Sequence, residues 1–150
     1  VRAWAIFAHC FTCSKDLRAV RSISSGLNRH GIAVLNFDFT GLGRSEGSFA
    51  ETTFATDMQD LMAAVDYLEE HHRAPALLVG HSLGGAAVLH TAHKLPSVKA
   101  VATIGAPFDP IHVTDQFTDY AITIFFCMFL NDKSNIPKSI PCSCLFYSEG

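Results

Sequence analysis

Short runs of apolar residues alternate with amphipathic stretches of helical period through most of this chain, and that alternation restricts its fold more than any other feature. "AWAIFA" (Ala3 to Ala8), "IAVLNFDF" (Ile32 to Phe39), "ALLVG" (Ala76 to Gly80) and "VKAVATIG" (Val98 to Gly105) are apolar runs of strand length. Such runs are expected of strands covered on both faces. Between the first two, Leu17, Val20, Ile23 and Leu27 fall along one helical face. Ser14 is placed to cap that helix, Asp16 to favour its first turn and Gly31 to stop it. Phe54, Met58, Leu61, Met62, Val65 and Leu68 recur at helical spacing up to about His72, before Pro75. "LGGAAVLHTAHKL" is a small-residue helix that Pro96 stops. The order β-α-β-α-β-α-β predicts an α/β fold: a mostly parallel sheet with helices on both faces, joined by right-handed crossovers.

Composition narrows the class. With 150 residues, 49% of them apolar and 17% charged, the chain can bury one core. The net charge is −3 and the cations are scattered without a run, which points to neither a nucleic-acid backbone nor an anionic membrane as partner. The longest apolar run, Tyr120 to Leu130, has eleven residues. A membrane span needs about 20, so this run is expected to be a buried strand or a short core helix. Five cysteines without a secretory signal argue against a disulfide framework and for a reducing, cytoplasmic setting. Val1 leads almost at once into a strand pattern, as in a piece of a longer chain. The α/β pattern is expected to occupy residues 1–119, with 120–150 a divergent tail.

Chemistry concentrates at Gly80-His81-Ser82-Leu83-Gly84, a G-x-S-x-G sequence. Its position between an apolar strand and a small-residue helix is that of a nucleophile elbow. Such a turn strains the serine backbone and needs neighbours without side chains, so that helix and strand can approach. It also sets the hydroxyl at a helix N-terminus, where the N–H of Leu83 can stabilise an oxyanion. The alternative is a serine that only caps the helix. A second oxyanion donor is expected in "HCFTCSKD" after the first strand, with the N–H of Phe11 as candidate. His9 there can equally be a core histidine that orders the loop.

"FAHCFTCSKD", "FDFTGLGRSEGSF", "HHRAPALLVGHSLGGAAVL" and "AVATIGAPFDPIHV" together resemble an α/β-hydrolase of the serine-aminopeptidase-like group. More narrowly, they resemble the hydrolase half of bacterial proteins fused to an OsmC-type peroxide-reducing domain. The likeness runs from about Trp4 to Val113. It implies an α/β-hydrolase core, incomplete at its C-terminal end, with a Ser-His-acid triad and an acyl-enzyme on Ser82. It further implies a small ester, thioester or amide substrate, no cofactor, and a fused or associated OsmC-like domain. The triad acid and histidine follow the serine in this fold. Among the downstream histidines, His90 and His93 lie on the helix after the elbow and are expected to point away. His112 is the candidate for the base and Asp109 for the acid. A chain carrying only the nucleophile half is expected to be a poor catalyst.

Three other constellations compete. Cys10-Phe11-Thr12-Cys13 is a C-x-x-C between strand and helix, compatible with a thiol redox protein or with two inert buried thiols. Cys142 and Cys144 lack the spacing of a four-ligand zinc site. Gly41, Gly43 and Gly47 look like a dinucleotide loop, but Glu46 takes the third glycine position of G-x-G-x-x-G. In the hydrolase reading, Asp38 to Ser45 instead shape the loop beneath the site. His71 and His72 are placed to complement a helix dipole. A non-catalytic hydrolase-fold module, associating through an unpaired sheet edge, is the non-enzymatic alternative.

Overall fold

The computed structural model describes residues 1–106 and the backbone of the strand 126–130. Four strands, β1 (Ala3–Ala8), β2 (Ile32–Asn36), β3 (Leu77–His81) and β4 (Ala100–Ile104), pair in parallel in the order β2-β1-β3-β4. Three helices connect them: α1 (Arg18–Arg29), α2 (Phe54–His71) and α3 (Leu83–Ala92). The strand β5 (Phe126–Leu130) lies antiparallel to β4, with Ala100 opposite Leu130 and Ile104 opposite Phe126. The end of the long apolar run is therefore strand, and the sheet is mostly parallel. Among the described residues no helix is long and apolar enough to cross a membrane.

Burial of both sheet faces explains the uninterrupted apolar runs. Ile6 and Ala8 of β1 pack with Leu78, Leu61, Leu68 and Val88 beneath α2 and α3. Phe7, between them in sequence, faces the other way and packs with Val20 and Val79 beneath α1. Leu61 and Leu68 are fully buried, each contributing about 2 kcal/mol from removal of apolar surface from water. Thr53 caps α2, its hydroxyl accepting from the Thr56 N–H at 3.3 Å while the Thr56 hydroxyl accepts from the Thr53 N–H at 3.2 Å.

Several element ends differ from the sequence expectation. The first helix begins at Arg18 with Leu17 at its N-cap and no side-chain cap. Ser14 instead accepts the Asp16 N–H at 3.3 Å, closing a turn ahead of the helix. Leu17 consequently precedes the buried face and is 37% exposed. Strand β2 stops at Asn36 rather than Phe39, because Asn36 pairs with Phe7 and β1 ends one residue later. Strand β4 is shorter at both ends, with Val98 N–H donating to Leu95 C=O in a turn and Gly105 leaving the strand at φ +57°.

The connectivity positions a site. From β1 the chain crosses one face through α1 to β2, then returns over the other face through α2 to β3. The loops after β1 and β3 thus depart toward opposite faces. Between their carboxyl ends lies a switch point, where open parallel sheets form a crevice that binds ligands.

Candidate active site

Ser82 occupies the end of β3 at that switch point. Its φ of 53° and ψ of −118° are strained for any residue but glycine. Two backbone hydrogen bonds hold it there. The Ser82 N–H donates to Ile104 C=O at 2.8 Å, and its C=O accepts from Ala86 N–H at 3.1 Å. Its side chain makes no capping hydrogen bond and remains partly exposed. Leu83 begins α3, so its N–H is among those at the helix N-terminus that lack an intrahelical partner.

The glycines around it are spatial requirements. A Cβ on Gly80 would come within 2.5 Å of the Gly84 carbonyl oxygen and the Gly85 Cα. A Cβ on Gly84 would collide with the carbonyl oxygens of Ala8 and His9. The first turn of α3 is therefore seated directly on the end of β1. That contact brings the loop His9–Lys15 beside the elbow.

His9 orders this loop. It is 1% exposed. Its Nε2 accepts from the Phe39 N–H at 3.3 Å, so its Nδ1–H donates to Cys10 C=O at 2.8 Å. Burial lowers its pKa, outweighing the raising effects of the Cys10 hydrogen bond and of Asp38, and the ring is neutral near pH 7. The carbonyl of Cys10 also accepts from Cys13 N–H at 3.2 Å. Because a trans peptide holds C=O and N–H on opposite sides, these two donors also set the direction of the Phe11 N–H. The Phe11 ring packs edge-on against Phe49 with centroids 4.9 Å apart.

The C-x-x-C pair, open in sequence to a redox role or to two inert thiols, is joined: Cys10 and Cys13 form a disulfide with their Cα atoms 5.2 Å apart. The turn between them has Thr12 at φ +58°. The bridge closes a single four-residue turn.

The loop after β2 packs beneath. Asp38 accepts from the backbone N–H of Lys15 at 2.7 Å, from its ammonium at 2.5 Å, and from Arg44 N–H at 3.0 Å. Ser45 donates to Asp38 C=O at 2.6 Å. Gly43, at φ +54°, leaves the space that the Asp38 carboxylate fills. No helix opens at these glycines: the chain passes through a short 3-10 turn, Phe49–Glu51, before α2. Thr40 is tied to α2, both its N–H and its hydroxyl bonding Asp60.

The histidines divide by location. His81 precedes the nucleophile candidate, and burial lowers its pKa. His90 donates to Ala86 C=O at 2.9 Å and packs against Phe54, a commitment away from the elbow. His93 is exposed at the end of α3. His71 bonds Tyr67 C=O at 3.0 Å in the last turn of α2, and His72 stacks on Trp4. Asp109, His112, Cys142 and Cys144 lie outside the described residues. A cleft of about 380 Å³ opens between the end of β2 and α2, lined by Phe37, Thr40, Asp60 and Tyr67 among others. Ser82 is not among its walls, and the elbow defines the candidate site.

A strained serine between a parallel strand and a helix, at the switch point of such a sheet, defines an α/β-hydrolase fold. The chain belongs to the serine aminopeptidase (S33) family, whose profile matches residues 12–128. It is 56% identical to the esterase domain of a Rhodothermus marinus protein, over 75% of this chain and 42% of that one, with a TM-score of 0.60. The ferulic-acid-bound Est1E of Butyrivibrio proteoclasticus is 31% identical over 66% of this chain and 41% of its own, with a TM-score of 0.61. Among curated proteins, the mouse mitochondrial palmitoyl-protein thioesterase ABHD10 is 40% identical over 75 residues, 50% of this chain and 24% of that protein. The matched region thus spans about a quarter of this curated relative.

Proposed function

We propose that this chain is a serine hydrolase with Ser82 as its nucleophile, acting on a small ester, thioester or amide. The observation that carries the reading is the backbone of Ser82, held at φ 53° in a region that strains any residue but glycine. In the proposed reaction, Ser82 Oγ attacks the acyl carbon and gives up its proton to a base. The carbonyl oxygen gains charge opposite the N–H groups of Leu83 and Phe11. Collapse expels an alcohol, thiol or amine, and water then hydrolyses the acyl-enzyme. Each oxyanion donor in such a site is worth about 3 kcal/mol of transition-state stabilisation. The likeness to an esterase domain and to a palmitoyl-protein thioesterase supports an ester or thioester carbonyl as the electrophile.

His112 is our candidate base and Asp109 our candidate acid. A general base contributes roughly 10²–10⁴-fold, so loss of His112 measures its role directly. Incubation with a fluorophosphonate probe, followed by peptide mapping, is expected to modify Ser82 and to leave Ser82→Ala unlabelled. Hydrolysis of 4-nitrophenyl acetate by this chain is expected to be slow. An unlabelled wild-type chain would remove the enzymatic reading and leave the hydrolase-fold module.

A further inference from the structure

We propose that Cys10 and Cys13 form a reversible dithiol–disulfide site that controls the oxyanion turn of the hydrolase centre; the inference rests on the reading of Ser82 and Phe11 given above. The two cysteines bracket Phe11, and their bond spans the same four residues whose backbone sets the Phe11 N–H. With the bridge closed, Cys13 stays within hydrogen-bonding distance of the Cys10 carbonyl. Thr12, a β-branched residue, is then kept in the left-handed region at φ +58°. With the bridge open, the 3.2 Å hydrogen bond must oppose that backbone cost without the covalent tie. The two are of similar size, so the Thr12–Cys13 peptide is freed to leave the turn. His9 continues to hold the Cys10 carbonyl, and one of the two donors that orient the Phe11 peptide is lost.

The two cysteine residues are unequally exposed. Cys10 is buried at 8% exposure and Cys13 is partly exposed. A thiolate of a dithiol reductant attacks Cys13 Sγ, the S–S bond breaks, and its electron pair leaves on Cys10 Sγ, which takes up a proton. The reductant's second thiolate then displaces Cys13 Sγ from the mixed disulfide, and that sulfur is protonated in turn. Two electrons and two protons enter the protein, and the reductant departs as a cyclic disulfide. Oxidation by a small-molecule disulfide reverses the exchange.

The test uses the whole chain, equilibrated in oxidised or reduced dithiothreitol. Alkylation with mass mapping reports the state of Cys10 and Cys13, deuterium uptake reports the peptide 9–15, and a fluorophosphonate reports the labelling rate of Ser82. Reduction is expected to add two alkylatable thiols at Cys10 and Cys13, raise deuterium uptake in that peptide, and slow Ser82 labelling about tenfold, with recovery on reoxidation. Cys13→Ser should label at the reduced rate whatever the redox buffer. Equal labelling and equal uptake in both states, with Ser82 labelled, would overturn the switch and leave the hydrolase reading intact. Failure to label Ser82 in either state, with the bridge still forming, would remove the hydrolase reading and the control of it together. A bridge that does not re-form would overturn the switch alone.

Discussion

Lys15 grips Asp38 twice, through its backbone N–H at 2.7 Å and its ammonium at 2.5 Å, across 23 residues of sequence. The contact fastens the loop after β1 to the loop after β2. The Asp38 side chain is 2% exposed and that of Lys15 28%. Burial by itself would raise the Asp38 pKa, but the hydrogen bonds from Lys15 and from Arg44 N–H outweigh it and hold the carboxyl below its usual range. Asp38→Asn keeps the shape and removes the charge, leaving a cation that is largely covered. It should destabilise the fold by about 2–3 kcal/mol at pH 7. A depressed folded pKa gives stability that is full above the unfolded carboxylate pKa and lost as pH falls through the folded value. Urea midpoints of wild type and variant should therefore keep their separation from pH 7 down to about 4 and begin to converge only below it.

Asp57 has the opposite sign. It is 7% exposed, and burial, with Asp60 nearby, raises its pKa to about 6. Between pH 4 and 6 the native carboxyl holds a proton that the unfolded one has released, so stability declines as pH rises through that interval. Asp57→Asn should raise stability by roughly 2–3 kcal/mol at pH 7.5 and by little at pH 4. Thermal melts at the two pH values would show it, and an equal gain at both would count against an ionised Asp57.

Gly84→Ala and Gly26→Ala should have opposite effects. A methyl at Gly84 meets main-chain oxygens of Ala8 and His9, which cannot swing aside as a side chain could. A loss of about 2–3 kcal/mol follows from overpacking, with the elbow displaced from β1. At Gly26 in α1 the nearest atom is the tip of Arg29, 4.0 Å away. Alanine there should stabilise the helix by about 0.5–1 kcal/mol. Chemical denaturation of the two variants separates a spatial requirement from a merely flexible glycine.

Ser82→Gly tests the strain itself. Relief of a disallowed backbone is worth about 1–3 kcal/mol, offset by about 1 kcal/mol of added chain entropy in the unfolded state. The variant should be more stable than wild type by about 1 kcal/mol, whereas Ser82→Ala retains the strain and should be close to neutral. Both should be refractory to the fluorophosphonate. A destabilised Ser82→Gly would mean that the serine side chain supports the fold.

Periodicity and the glycine pattern made four strands, three helices and the elbow legible in the sequence, since each depends on neighbours a few residues apart. Element ends were less so. Strand β2 ends where β1 stops offering a partner, and Leu17 lies ahead of α1 because Ser14 and Asp16 close a turn of their own. The Lys15–Asp38 pair carried no local signal, because the residues meet only after a helix and a strand intervene.

By itself, the sequence determined an α/β chain with a serine where a strand bends sharply into a helix. Only the tertiary structure decided that the end of β1 lies against that bend, that His9 is a neutral ordering residue, and that Cys10 is bonded to Cys13. Local pattern fixes which backbone each segment adopts. Which side chains meet across strands is fixed by register and packing, properties that belong to the assembled sheet and to no segment alone.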